Sequence, residues 1–503
     1  MEIYNSKKDI LGIIFFASSI LILGYMFLTP LNQLIIHIDE YFSLTLVTLP
    51  IHDILTVTTW DVHPPLYYLL GKMAAKFASM TGMDLLFSIR ILSIIPYILI
   101  LVISAVKIRE DYGWLTAGLF TLSLGIMSEF FTHFLIARMY SWAILFILIA
   151  FLAFAEIIRT NDIKAWAVLS VFSALCAYTH HFAAISAACI YIILFAYIFK
   201  FKKDELKMWA ISAAAAVILY IPWIPSLIIQ VTQVHQSYWI PEVSAPTLMN
   251  SFGYYAYTSD AFFSGVAILI LATLIYIYSK ETEKGNISKE DRFLILSGIG
   301  VYVGTIVLSV ILSVVVKPIL MVRYLLPATA IMWLTISVIM TKIENRRMFM
   351  ISGALVGLLL ITGLATTISS NDTIYQDGLS QKAVLDNITQ DPNSMVIIPS
   401  QNMIMYFLDY ANKTDMYCLN VDHVLGENMN RLHKFYDFKT YNGNDIDSLI
   451  ANNTGKNIYI ISWNKPVLNT TTVELDKQVG VVFSKVKQSN STSYNNTEEE
   501  YYE

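Results

Sequence analysis

Cysteine is scarce in this chain. Cys176, Cys189 and Cys418 are its three copies in 503 residues, and no CxxC or Cys/His spacing joins them. That excludes a disulfide framework and a structural zinc site. Charge is scarce as well: 14% of residues are charged against 56% apolar, and the mean hydropathy is +0.58. An ordinary soluble protein is not so apolar. A net charge of −5 offers no basic surface, so nucleic acid is not an expected partner. Internal repeats are lacking. No predicted membrane crossing carries a charged residue at its centre, which argues against a proton or ion pathway through the helices.

What the chain does have is a recurrence of apolar runs of about 20 residues, the length that crosses a bilayer as a helix. Lys7-Lys8 precede an apolar stretch from Ile10 to Leu28 with no small-residue cleavage site, which predicts an uncleaved first helix at 9–29. Further crossings are predicted at 84–106, 113–131, 139–157, 165–180, 182–199, 208–229, 261–279, 293–316, 324–341 and 349–369. The fold expected is a polytopic α-helical membrane protein of about eleven transmembrane helices over 1–369, with a first external loop at 30–83. Within that loop, Pro65–Phe77 sets Lys72 and Lys76 against Leu69, Met73 and Phe77 on another face, an amphipathic pattern that should lie along the interface.

Positive charge orients the bundle. Seventeen Lys/Arg fall in the N-terminus and in loops 107–109, 159–164, 200–207, 280–292 and 342–347, all assigned to the cytoplasm. Six remain for the opposite side: Lys72, Lys76, Arg90, Arg138, Lys317 and Arg323. The expected location is the plasma membrane, with the tail outside. That tail is read as a small extracytoplasmic α/β domain at 370–489, with a mixed or parallel sheet built on Met395–Pro399, Asn457–Trp463 and Val479–Phe483. Its helix-like pieces are Ser380–Ile388, Met403–Tyr410 and Asp445–Ala451. Seven Asn-x-Ser/Thr sequons over residues 370–503 support an external position only weakly. Residues 490–503, polar and acidic, are expected to be disordered.

Ionisable residues concentrate at the outer face. Asp39 and Glu40 follow the first helix directly, among apolar and aromatic neighbours. A positioned carboxylate can act as general base on a hydroxyl, and a pair can hold a divalent cation such as Mg or Mn. Arg323, in Met-Val-Arg-Tyr-Leu-Leu-Pro, and Arg138, in Ala-Arg-Met-Tyr, suit bidentate contact with phosphate but equally suit snorkelling to the interface. His63 has the same two readings. Adjacent His180 and His181 are read more readily as polar helix ends than as a metal site. Tyr238-Trp239-Ile-Pro241, with Tyr254, Tyr255 and Tyr257, forms either an interfacial belt or a stacking platform.

Taken together, the first helix followed by Asp-Glu, the His-Pro-Pro-Leu-Tyr-Tyr stretch at 63–68, Ala-Arg-Met-Tyr at 137–140, Ile-Pro-Trp-Ile-Pro at 221–225, Tyr-Trp-Ile-Pro and Arg-Tyr-Leu-Leu-Pro resemble the GT-C superfamily of membrane glycosyltransferases. The branch most similar holds protein O-mannosyltransferases and the bacterial transferases of aminoarabinose and of lipopolysaccharide sugars. The resemblance covers about residues 10–345. It implies a dolichyl- or undecaprenyl-phosphate sugar donor, an acceptor hydroxyl on lipid, glycan or protein, and inverting transfer outside the cytoplasm. It further implies Asp39 as catalytic aspartate, Glu40 as its partner, and His63, Arg138 and Arg323 at the donor phosphate. Tyr67, Tyr140, His181, Tyr238, Trp239 and Tyr324 are taken as substrate-binding candidates. One departure is visible: Ile136 stands where many relatives carry an acid, and Glu129 is seven residues further back. A transporter or flippase of lipid-linked sugars and a ligase using polyprenyl diphosphate are the rival readings.

Overall fold

A computed structural model describes residues 2–28, 38–236, 240–256, 261–283, 287–399, 414–419, 438–441, 446–463, 470–476 and 481–486. Tyr238, Trp239, Tyr257, the Met403–Tyr410 helix and the 490–503 tail lie outside the described residues. Contacts divide the chain into two units, Met1–Leu31 with Pro50–Ser370 and Asn32–Leu49 with Asn371–Glu503.

The helices, in chain order, begin with α1 (Glu2–Leu28), α2 (Ile38–Thr48), α3 (Ile51–Thr59), α4 (Leu66–Thr81), α5 (Leu85–Ile103), α6 (Arg109–Tyr112), α7 (Trp114–Ile126) and α8 (Ser128–Leu135). They continue with α9 (Tyr140–Thr160), α10 (Ile163–Thr179), α11 (His181–Phe201), α12 (Leu206–Tyr220), α13 (Ile224–Gln236) and α14 (Ala245–Gly253). The last of the first unit are α15 (Ala261–Thr282), α16 (Lys289–Val315), α17 (Leu326–Lys342) and the start of α18 (Arg346–Gln390).

Every predicted crossing coincides with a helix or a helix pair. Among the described residues nine are long and apolar enough to cross a membrane. A tenth is the pair α7–α8, bent by 73° where Met127 adopts an extended backbone. The eleventh, α10, has 17 residues, about 25 Å of helix. Residues 38–59, expected as external loop, are instead the helices α2 and α3, each with acids in its first turn, where the helix dipole favours them. The expected amphipathic segment is α4. It begins after Pro64-Pro65, buries Tyr67, Tyr68, Gly71 and Ala78, and exposes Met73, Phe77 and Met80. The α12–α13 run breaks at a 3₁₀ turn, Ile221–Trp223, because Pro222 has no N–H to continue the ladder.

Small residues set one close helix contact. α1 crosses α7 at Gly12 and Gly118, and a Cβ at Gly118 would overlap the Gly12 carbonyl. Backbone-on-backbone packing of this kind serves where lipid removes the hydrophobic drive between helices. Gly118→Ala should therefore lower the melting temperature of the detergent-purified protein, at an overpacking cost of about 1–3 kcal/mol. Gly24→Ala, with nothing within 4 Å of its Cβ, should leave the melting temperature where it is. Equal behaviour of the two would show that the crossing is not tight.

Polar groups gather at one end of this unit. Arg159 pairs with Asp111 at 2.8 Å, Lys342 with Asp291 at 2.6 Å, and Lys107 with Glu156 at 2.7 Å and Asp111 at 3.1 Å. Lys8 donates to the Thr341 and Ile343 carbonyls. These residues come from five of the six segments that the charge bias assigns to one face.

The second unit carries a six-stranded sheet, β1 (Ser394–Ile398), β2 (Asp415–Leu419), β3 (Lys439–Tyr441), β4 (Asn457–Trp463), β5 (Thr470–Asp476) and β6 (Val481–Val486), in the order β3-β2-β1-β4-β6-β5. The first four are parallel and β6 and β5 antiparallel, so the sheet is mixed. Met395, Ile397, Ile458, Ile460 and Val486 form its core with Ile450 of α19 (Ile446–Ala451).

Candidate active site

The opposite end of the first unit brings together residues far apart in sequence. The α3–α4 turn holds Asp61 and His63. The carboxylate Oδ2 receives the His63 backbone N–H at 3.2 Å and lies 2.8 Å from His63 Nδ1. His63 Nε2 in turn lies 3.2 Å from Arg138 Nη2. A guanidinium only donates, so Nε2 accepts and the proton sits on Nδ1, facing Asp61. Arg138 Nη1 reaches the Tyr68 hydroxyl at 3.4 Å. Arg138 and Tyr68 are buried, while Asp61 and His63 are about a fifth exposed or less.

Burial pushes the Asp61 carboxyl up. The His63 ring, the Val62 N–H and Arg138 together outweigh that and hold it below the ordinary carboxylate range. Its ionised form thus adds stability above the usual carboxyl pKa, and that stability is lost as pH falls through the depressed value.

His180 and His181 close the next side. His180 caps α11 by accepting the Phe182 N–H on Nδ1 at 3.2 Å. It is buried, with His63, His181, Arg138 and Arg323 close enough to interact with it. His181 lies against the Val62 carbonyl and Gln230. Gln230, on α13, donates to the Thr58 carbonyl at 2.8 Å and so ties α13 to α3. Arg323, half-buried, occupies a 3₁₀ turn (Val322–Leu325) at the head of α17. Tyr324 anchors that turn by packing on His180 at 5.2 Å and Phe182 at 5.2 Å.

Not every expected residue faces an open site. Tyr67 is fully buried, its hydroxyl 2.9 Å from Ser93 Oγ. Tyr140 is wedged between His133 at 4.4 Å and His180 at 5.1 Å. Both fill the floor of the cluster. Glu129 accepts the Tyr254 hydroxyl at 2.7 Å, with His133 3.6 Å away. Asp39 and Glu40 stand in the first turn of α2, half-buried and fully buried, and α2 belongs to the second unit. Among the described residues no group of three or more His, Cys, Asp or Glu is arranged to hold a metal ion. Sequence reasoning counted Asp61 among the outer-face acids and Tyr68 within the His-Pro-Pro-Leu-Tyr-Tyr stretch, but gave neither a role of its own. Both sit inside or beside the His-Pro-Pro-Leu-Tyr-Tyr stretch, the one signal that could have found them.

Beside the Asp61–His63 turn opens a cavity of about 600 Å³ between α3, α4 and α13, lined mainly by Leu55, Pro65, Leu66, Leu69, Pro222 and Trp223. Its walls are predominantly apolar.

No family model matches this chain, and no curated protein does. Solved structures do. One is ArnT from Cupriavidus metallidurans in the apo state, 11% identical with a TM-score of 0.55. Another is ArnT from Cupriavidus metallidurans bound to undecaprenyl phosphate, 10% identical with a TM-score of 0.55. Each likeness covers 94% of this chain and 97% of the other. Over nearly its whole length, the chain shares the fold of these ArnT structures.

Proposed function

We propose that this protein is a glycosyltransferase that moves a sugar from a polyprenyl-phosphate donor to an acceptor hydroxyl on the extracytoplasmic side. The observation that carries this reading is the convergence of Arg138, His63, His181 and Arg323 at one end of a helical unit. It is supported by a fold shared with a protein solved bound to undecaprenyl phosphate. Two arginines meet the chemistry of a phosphate that keeps one charge in the donor and gains another as it leaves. The neighbouring apolar cavity suits an isoprenoid or acyl chain.

In the reaction, the acceptor oxygen forms a bond to the anomeric carbon as the carbon–oxygen bond to phosphate breaks. Asp39, proposed as base on its sequence context, takes the hydroxyl proton. Arg138 and Arg323 meet the charge on the departing phosphate, and a well-placed donor of this kind is worth about 2.7–4 kcal/mol. Inversion follows from single displacement.

The decisive assay supplies purified protein with radiolabelled polyprenyl-phosphate sugars and a panel of lipid, glycan and peptide acceptors. Label should pass into an acceptor with release of one polyprenyl phosphate each time. Label that crosses a proteoliposome with its lipid bond intact would replace the transferase with a flippase. Sidedness has its own check. Cysteines introduced by Asn286→Cys and Asn412→Cys should react from opposite faces of the membrane, and labelling of both from one face removes the assigned topology. The native cysteines are buried and stay silent.

A further inference from the structure

We propose that Asp61 is a positioning residue: it fixes the tautomer of His63 and thereby holds the guanidinium of Arg138 in place. The consequence for substrate rests on the transferase reading above, whereas the tautomer itself does not.

The geometry runs in one direction. Asp61 Oδ2 takes the Nδ1 proton at 2.8 Å and also accepts the His63 backbone N–H at 3.2 Å, so the carboxylate clamps both ring and main chain of the same residue. With Nδ1 protonated, Nε2 keeps its lone pair for Arg138 Nη2 at 3.2 Å. The other neutral tautomer would set an Nε2–H against a guanidinium N–H, donor against donor, beside a buried charge. Doubly protonated His63 would do the same and add like-charge repulsion. A carboxylate on Nδ1 also makes Nε2 a stronger acceptor, the way an outer-shell carboxylate raises the basicity of a metal-bound histidine. The depressed Asp61 carboxyl is consistent with that load.

His63 therefore differs from its sequence-level reading as a phosphate ligand. Both ring nitrogens are engaged inside the protein, one by Asp61 and one by Arg138. The Arg138 fork is braced from a second side by Tyr68 at 3.4 Å. His63 and Asp61 act on the donor phosphate through that arginine.

The test has two arms. In the first, ¹⁵N spectra of histidine-labelled protein in bilayers are compared with those of His63→Gln to isolate the His63 ring. Nδ1 should be protonated and Nε2 bare in the native protein, and Asp61→Ala should mix or exchange the two. A bare Nδ1 in the native protein, or a spectrum unmoved by Asp61→Ala, overturns the proposal. Should Asp61→Ala fail to fold, Asp61→Asn keeps the volume and should still show mixed tautomers, because its amide both donates and accepts. In the second arm, Asp61→Asn should raise the KM for the polyprenyl-phosphate sugar roughly tenfold, the worth of one charge-assisted hydrogen bond, with the acceptor KM unchanged. Combined with Arg138→Lys, it should add little beyond the worse single change. Additive penalties would mean that Asp61 does not act through Arg138. A native protein that turns over no such donor retires the transferase reading, while the spectra still decide the tautomer.

Discussion

Asp39→Asn should leave the protein folded in the membrane and lower sugar transfer by about 10²–10⁴-fold, the usual contribution of a positioned base. An amide has nearly the volume of the carboxylate and no basic lone pair for the hydroxyl proton. Asp39 is half-buried in the first turn of α2. Losing one charge from a helix N-terminus costs about 0.3–1 kcal/mol, too little to unfold a bundle of this size. Asp53 supplies the matched comparison, since it is also an acid in a first turn, that of the next helix, α3. Asp53→Asn should retain near-native turnover. The measurement is initial rate per folded molecule, with folded protein scored by monodisperse elution. Equal losses at the two positions would mean that first-turn acids stabilise these helices and that the base is some other group.

Arg323 is expected to divide binding from chemistry. It lies in a short 3₁₀ turn that Tyr324 pins to His180 and Phe182, so its backbone is fixed while its side chain is half-buried. Arg323→Lys keeps the charge but loses the planar fork, and should raise the donor KM by about tenfold or more. Arg323→Ala should raise it further and slow turnover as well, because the leaving phosphate then lacks one of its two cations. Acceptor KM should hardly change in either variant. If the arginine only snorkels, Lys behaves as wild type, and Ala reduces the yield of folded protein rather than turnover per molecule. Kinetics with the donor varied at saturating acceptor separate these outcomes.

The membrane spans were legible because their signal is local: length and apolarity decide them, and each predicted run met a helix. The bend at Met127 was not, since nothing in Gly-Ile-Met-Ser-Glu marks a break, and one extended residue there turns α8 away from α7. α2 and α3 were read as loop because charge at 39, 40, 53 and 61 hid their short apolar faces. In the tail, β1, β4 and β6 announced themselves as apolar runs. β3, Lys-Thr-Tyr, is too short and polar to stand out, and becomes a strand by pairing with β2, itself paired with β1. Arg138 and Arg323 were recognisable one by one. Their shared cluster was not, because His63 meets Arg138 across 75 positions of sequence and Glu129 meets Tyr254 across 125. Such contacts belong to tertiary structure alone.

The glycine crossing has a consequence for how the chain is made. α1 docks on α7 through Gly12 and Gly118, and roughly a hundred residues of translation separate the two, about 5–20 s at cellular rates. During that interval α1 lies in the bilayer without α7, the helix it docks on. Its mean hydropathy of 2.3 suits it to wait there, and a glycine facing lipid exposes no side chain that would need a partner meanwhile. α1 is thus equipped to wait for α7, and a substitution at Gly12 would be felt by the ribosome-bound chain only once residue 118 had entered the membrane.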